Sequence, residues 1–180
     1  MRWFWIDRFT EFVSGQSAEA VKSVTLSDEP VDEYAPGRTF FPASLIIEGL
    51  AQTGGLLIGQ MSDFKDRVVL AKISNCKFHF EAYPGETLTY RVELRNQEGI
   101  GAMVRGTSHI GDRLQGEIEL MFASLDDERF ESVELFEPAQ FCRMIRILRL
   151  FEVGVNPDGS SVQVPQHMVE AEFAYLKIGG

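Results

Sequence analysis

One segment constrains this chain more than any other. Residues 41–61 read FPASLIIEGLAQTGGLLIGQM. Leu45, Ile46, Ile47, Leu50, Leu56, Leu57 and Ile58 fall on all sides of a helical wheel. A helix that is apolar all round is a buried helix, so the rest of the chain must wrap it. Pro42 suits a first helical position, where its missing N–H would be unpaired anyway. Gly49, Gly54 and Gly55 each cost about 1 kcal/mol of helix propensity, which implies that something packs closely against the backbone there. Glu48 is the outlier. An ionised carboxylate in such a helix costs several kcal/mol unless it is paired. Gln52 lies four residues on, on the same face, where it can orient the carboxylate. Two readings stand open at this point: a catalytic acid, or a structural glutamate bonded to backbone or to a partner chain.

The surrounding sequence reads mostly as strand. Candidates are 20–26, 68–74, 76–83 (stopped by Pro84-Gly85), 86–95, 102–110 and 113–125, with Gly111-Asp112 as a hairpin turn. Short turns between consecutive strands imply antiparallel pairing. The expected class is α+β: an antiparallel sheet of five or six strands around one long central helix. Residues 27–38 form an acidic loop with Pro30, Pro36 and Gly37. After Leu125 comes a polar linker, 126–129. A helix follows over 138–151, with Phe141, Ile145, Leu148 and Phe151 on one stripe, and then a tail over 162–178 that adds a strand or helix. Residues 1–129 are read as the domain. Residues 130–180 are read as an appendage packed on it, since some fifty residues rarely make a core alone.

Composition removes several function classes. The 180 residues carry a formal net charge of -10, with no basic face for nucleic acid. Cys76 and Cys142 lack metal or redox spacing, and His79, His109 and His167 lie far apart, so neither a metal nor a cofactor is expected. No run of about 18 apolar residues exists to span a membrane. The apolar N-terminus carries Arg2, Asp7 and Arg8, which is unlike a secretory leader. A cytoplasmic protein is expected. The N–H groups of Ala43 and Ser44, at the positive end of the helix dipole, form a ready site for a polarised carbonyl.

The segment YAPGRTFFPASLIIEGLAQTGGLL resembles the signature of the 3-hydroxyacyl-(acyl-carrier-protein) dehydratases, a hot-dog-fold family, whose pattern runs roughly H-F-P-G-x-P-x-x-P-G-x-L-x-x-E-x-x-A-Q. Pro36, Gly37, Pro42, Leu45, Glu48, Ala51 and Gln52 match in register. LAKISNCKFHFEAYPGETL and the opening WIDRFTEFVSG are also similar to the family, so the resemblance spans about residues 2–125. The departures from the pattern include three that bear on the site. Ala43 stands for its glycine, Thr39 for a proline, and Tyr34 for its histidine.

The resemblance implies a homodimer with sites at the subunit interface, acting on acyl carrier protein or coenzyme A thioesters in fatty-acid metabolism. In the family a histidine takes the proton alpha to the thioester carbonyl, and the helix glutamate helps the 3-hydroxyl leave as water. Carried over, Glu48 and Tyr34 face the substrate, with Pro42, Ala43, Ser44 and Gln52 around it. Tyrosine ionises near pH 10 against about 6.5 for histidine, so a phenol there is a hydrogen-bond donor before it is a base. Three activities remain open: a dehydratase (hydro-lyase) of 3-hydroxyacyl thioesters, a hot-dog thioesterase in which Glu48 activates water, and a non-catalytic acyl-thioester binder or partner subunit. Arg143, Arg146 and Arg149, at spacing 3, form a basic ridge opposite the apolar stripe of the C-terminal helix. This ridge is read either as a docking face for an acidic carrier or as a solvated face.

Overall fold

The structure is a computed structural model that describes residues 4–28, 37, 39–125 and 137–178. Most of the expected loop at 27–38, including Tyr34, and the expected linker at 126–129 lie outside those residues. The class is α+β, as expected. Seven strands form one sheet: β1 (Arg8–Val13), β2 (Ser17–Ser23), β3 (Val68–Phe78), β4 (Thr87–Glu98), β5 (Gly101–Ile110), β6 (Arg113–Ser124) and β7 (Gly154–Val155). Their order is β3-β6-β5-β4-β2-β1-β7. Every pairing is antiparallel except that of β7 with β1.

The strand count exceeds the expected five or six because two strands, β1 and β7, give no sequence signal, although two of the candidates merge into one. Strand β1 hides from a period-two search because a bulge between Phe9 and Glu11 puts Phe9 and Phe12, three residues apart, both into the core. Strand β7 is a dipeptide contributed by the C-terminal segment. The candidates at 68–74 and 76–83 are instead one strand, β3, kept continuous by two register shifts. Strand β2 begins three residues earlier than expected, since its buried positions Ala18 and Ala20 are too small to mark a strand by hydrophobicity.

The long helix α1 (Ala43–Gln60) begins one residue later than expected, with Pro42 extended as its N-cap (φ -61°, ψ 137°). Ile46, Leu50 and Leu57 face the sheet and are almost fully buried. The glycines explain how close the contact is. A Cβ on Gly49 would lie 2.5 Å from the Tyr90 ring and 2.8 Å from the Trp5 carbonyl oxygen, and one on Gly54 would lie 3.0 Å from the Phe122 ring. The helix is not covered all round, however. Ala43 and Ser44 are exposed, and Glu48, Gln52 and Gly55 are only half-buried. Of these, Glu48, Gln52 and Gly55 lie on one side of the helix and mark an open stripe, while Ala43 and Ser44 lie in its first turn.

The C-terminal segment forms α2 (Pro138–Ile147), α3 (Leu150–Val153) and α4 (Gln166–Ile178). It is tied to the β1 edge: the Phe9 N–H donates to the Leu148 carbonyl at 2.8 Å, and the Ser14 N–H donates to the Val155 carbonyl at 2.9 Å. Cys142, Ile145, Leu148 and Leu150 join the same hydrophobic cluster as Phe9 and Phe12. The single helix expected over 138–151 is broken at Arg149, which takes a left-handed conformation (φ 63°). Leu148 and Leu150 are both buried, and two residues apart on one helix they would point to nearly opposite sides. The break lets both turn inward. Arg149 therefore leaves the helical face that holds Arg143 and Arg146.

Candidate functional site

The open stripe of α1 is the floor of a groove of about 1350 Å³. Glu48, Gln52, Gly55 and Gly59 lie along it, one or two turns apart, so the rest of the groove runs beside the helix axis. Leu70 and Phe122 of the sheet line one part, and Phe141, Met144 and Ile147 of α2 line another.

Glu48 sits toward the N-terminal end of this stripe, and its environment is set by a chain of hydrogen bonds. The backbone N–H of Trp5 donates to Gln52 Oε1 at 2.9 Å. A backbone N–H can meet only the oxygen of that amide, so the contact fixes which way Gln52 points. Its Nε2 then donates to Glu48 Oε1 at 3.0 Å. Among the described residues the Gln52 amide is the donor to this carboxylate, through one of its oxygens. Gln52 in turn is oriented by a residue 47 positions away, which no local pattern signals.

The N-terminal segment that delivers the Trp5 amide is itself pinned. Asp7 Oδ2 accepts from the Ser23 N–H at 2.7 Å, and the Asp7 N–H donates to the Val21 carbonyl at 2.7 Å. Lys22 is buried; its Nζ lies 3.1 Å from Asp28, 3.8 Å from Asp7 and 5.7 Å from the centre of the Phe41 ring. A buried ammonium is tolerated because two carboxylates and the Ser23 carbonyl, at 2.6 Å, surround it. Beneath the helix, burial pushes the Tyr90 phenol above its ordinary value, and the negative charges of Asp7 and Asp28 add to the effect. Tyr90 is therefore a neutral packing residue under Gly49.

The helix start is held from below. Phe41 bridges Ala82, its N–H donating to that carbonyl at 2.7 Å. The segment 83–86 closes as a Pro-Gly turn, with Gly85 at φ 94° and the Glu86 N–H on the Tyr83 carbonyl at 3.0 Å. The first bonds of the helix run from the N–H groups of Leu45 and Ile46 to the Pro42 carbonyl, at 3.0 and 3.2 Å. The amides of Ala43 and Ser44 precede them and find no acceptor among the described residues. Ser44 is four residues before Glu48, so it shares a face with the carboxylate, about 6 Å away along the axis, and the Ala43 amide lies one residue further toward the helix start.

The three histidines separate. His79 lies 3.5 Å from Glu117 on the sheet. His109 is held below its ordinary value by burial and by Arg91, against an opposing pull from Glu19, and it does not line the groove. His167, near the start of α4, does line it, although the sequence places it 119 positions from Glu48. The arginines separate as well. Arg146 is bound by Glu172 of α4 at 2.9 Å, and Arg149 by Glu152 at 2.7 Å. Arg143 lies 6.0 Å from the Tyr175 ring centre and lines the groove. Tyr34 lies outside the described residues.

The chain is 30% identical to a 3-hydroxyacyl-(acyl-carrier-protein) dehydratase FabZ of Wolinella succinogenes over 131 residues, covering 69% of this chain and 87% of that protein. It is 34% identical to the FabZ of Symbiobacterium thermophilum over 125 residues, covering 67% and 86%. Among solved structures, the dehydratase heterocomplex ApeI:P of Xenorhabdus doucetiae superposes with a TM-score of 0.58 at 14% identity, over 68% of this chain and 84% of that one. A hypothetical thioesterase with coenzyme A from Streptococcus pneumoniae gives 0.55 at 11%, over 66% and 87%. The likeness to these structures is one of fold: the hot-dog arrangement of a sheet around a long helix. Residues 3–116, well over half the chain, match the FabA-like domain, and the chain belongs to that family.

Proposed function

We propose that this chain acts on 3-hydroxyacyl thioesters of acyl carrier protein or coenzyme A in fatty-acid metabolism, as a hydro-lyase working in the cytoplasm. The observation that carries this is the Trp5–Gln52–Glu48 chain. It presents one oriented carboxyl group at a groove, on a helix whose first amides have no acceptor among the described residues. In the reaction the Glu48 carboxylate takes the proton from the carbon alpha to the thioester carbonyl and returns it to the 3-hydroxyl, so that the C–O bond at the next carbon breaks and the hydroxyl departs as water, leaving Glu48 as it began. The amides of Ala43 and Ser44 bear the negative charge that gathers on the thioester oxygen. Tyr34 stands where the family's histidine does and takes a donor's part toward the thioester or hydroxyl.

The working unit is a homodimer. Strand β3 is eleven residues long, ends the sheet, and exposes Leu70 and Ile73 along an edge with no partner strand among the described residues. Such an edge is a template for pairing with a second copy. Carrier docking falls to Arg143, which makes no ion pair among the described residues, whereas Arg146 and Arg149 are each committed to a glutamate.

The test is absorbance of the enoyl thioester, followed with purified protein and 3-hydroxyacyl and 2-enoyl substrates. Interconversion that is lost in Glu48→Gln and increased in Tyr34→His supports the reading. Release of free thiol without interconversion replaces it with a thioesterase. Binding without either reaction leaves a non-catalytic acyl-thioester binder. A Glu48→Gln variant as active as the parent removes Glu48 from the mechanism.

A further inference from the structure

The groove that starts at Glu48 does not end inside the family domain. The family match stops at residue 116, and α2 begins at Pro138. Yet Phe141, Met144 and Ile147, spaced by three and therefore on one side of α2, line the same groove as Glu48. Two features of α1 make room between them. Gly55 and Gly59 come seven and eleven residues after Glu48, on its face, and bring no side chains to the floor. From Glu48 to Gly59 the helix rises about 17 Å.

The residue that joins the two parts is held in an unusual conformation. Asp63 and Phe64, just after α1, both have positive φ, 54° and 57°. Neither is glycine, so the turn is strained and needs support from its surroundings. Phe64 gets that support as a bridge. Its ring lies 3.3 Å from where a Gly59 Cβ would be, and packs edge-on to Phe141 at 5.6 Å and to Phe151 at 6.3 Å. The rings of Phe64 and Phe141 thus give the far part of the groove an apolar strip continuous with its carboxylate end, with Lys65, Asp66, Arg67 and Arg143 also in the lining. The far part also leaves apolar surface in water: Ile147 is 48% exposed.

We propose that α2 forms the far wall of the acyl-chain site, so that the segment after the family domain sets which chain lengths the protein accepts. The occupant is the apolar tail of a straight medium or long acyl chain whose thioester lies at Glu48. This deepens the proposed function and rests on it.

The test measures binding by the full-length protein of butanoyl-, octanoyl- and dodecanoyl-coenzyme A, by calorimetry. For the parent, affinity climbs with chain length, by up to about fourfold for each methylene taken from water. Two variants alter the wall. Met144→Trp fills it, and Ile147→Asp places a charge on it at an exposed position that folding tolerates. Melting temperatures check that both fold. The expected result is a loss of about tenfold or more in dodecanoyl affinity, with butanoyl affinity within about twofold of the parent. Equal losses for both lengths, or no loss for either, overturn the wall while the thioester reading stands. A drop in dimerisation in Ile147→Asp with unchanged affinities overturns it too, and assigns this face to a second copy. A parent that binds none of the three overturns the thioester reading itself.

Discussion

Three glycines of α1 give a controlled experiment on close packing, because the same change to alanine is made on one helix with different clearances. Each substitution gains about 1 kcal/mol of helix propensity. At Gly49 the new methyl meets the Tyr90 ring at 2.5 and 2.8 Å and the Trp5 carbonyl oxygen at 2.8 Å. Neither neighbour yields easily. Tyr90 is fully buried, and the Trp5 backbone is tied to Gln52 through its N–H. Overpacking of this kind costs about 3 kcal/mol or more. The net effect is a loss of about 2 kcal/mol, which for a chain of this size lowers the melting temperature by about 4–8 °C. At Gly54 the nearest atoms, on the Phe122 ring, are at 3.0 and 3.1 Å, so strain and propensity nearly cancel. At Gly55 the Phe122 ring is at 3.5 Å, an ordinary contact, and the gain in propensity remains, roughly 0.5–1 kcal/mol. Urea unfolding followed by circular dichroism ranks the three. The expected order of stability is Gly55→Ala, then Gly54→Ala, then Gly49→Ala. If Gly49→Ala were as stable as Gly55→Ala, the reasoning from Cβ clearance would be refuted. Gly55→Ala also narrows the groove, so its stability and its thioester binding should move in opposite directions.

Two further predictions concern the C-terminal segment. The Arg146 guanidinium bound to Glu172 holds that carboxyl below the usual range, outweighing the upward push of partial burial. A depressed carboxyl contributes stability that is present above its unfolded value and lost as pH falls through its folded value. Protection of the α4 amides, taken relative to their intrinsic exchange at each pH, should therefore fall as pH drops below about 4.3, the ordinary glutamate value. Arg146→Gln should show fast exchange already at neutral pH; equal protection in parent and variant would show that the pair does not hold α4. Cys76 is exposed on β3, whereas Cys142 is buried between α2 and the core. A thiol reagent should thus modify one cysteine per native chain and two after denaturation. Two reacting in the native state would mean that α2 does not stay packed.

Much of the site is legible in the sequence because it is local. Glu48 and Gln52 are one helical turn apart, and helix geometry alone brings them together. The distant parts follow no such rule. The Trp5 amide reaches Gln52 only because β1 and β2 fold the N-terminal segment over α1, and β1 is masked by its own bulge. The break at Arg149 arises from a conflict between two buried leucines that is invisible until the core is known. The place of Phe141, Met144 and Ile147 along the same groove as Glu48 depends on how α2 packs, which no local pattern signals.

The glycines of α1 were ambiguous in the sequence, yet one fact resolves them. With every other side of the wheel apolar, Glu48 marks the side that is not sealed. The period of 3.6 residues then assigns Gly55 and Gly59 to the side of Glu48, within about 20° of it, and turns Gly49 and Gly54 away by about 100° or more. The first pair opens the groove floor, and the second lets the sheet approach the backbone. A helix with glycine on both sides is poor by propensity and stands here because the packing of Tyr90 and Phe122 holds it. The same packing leaves the other side open, so the features that weaken α1 as an isolated helix are the ones that make it the floor of a groove.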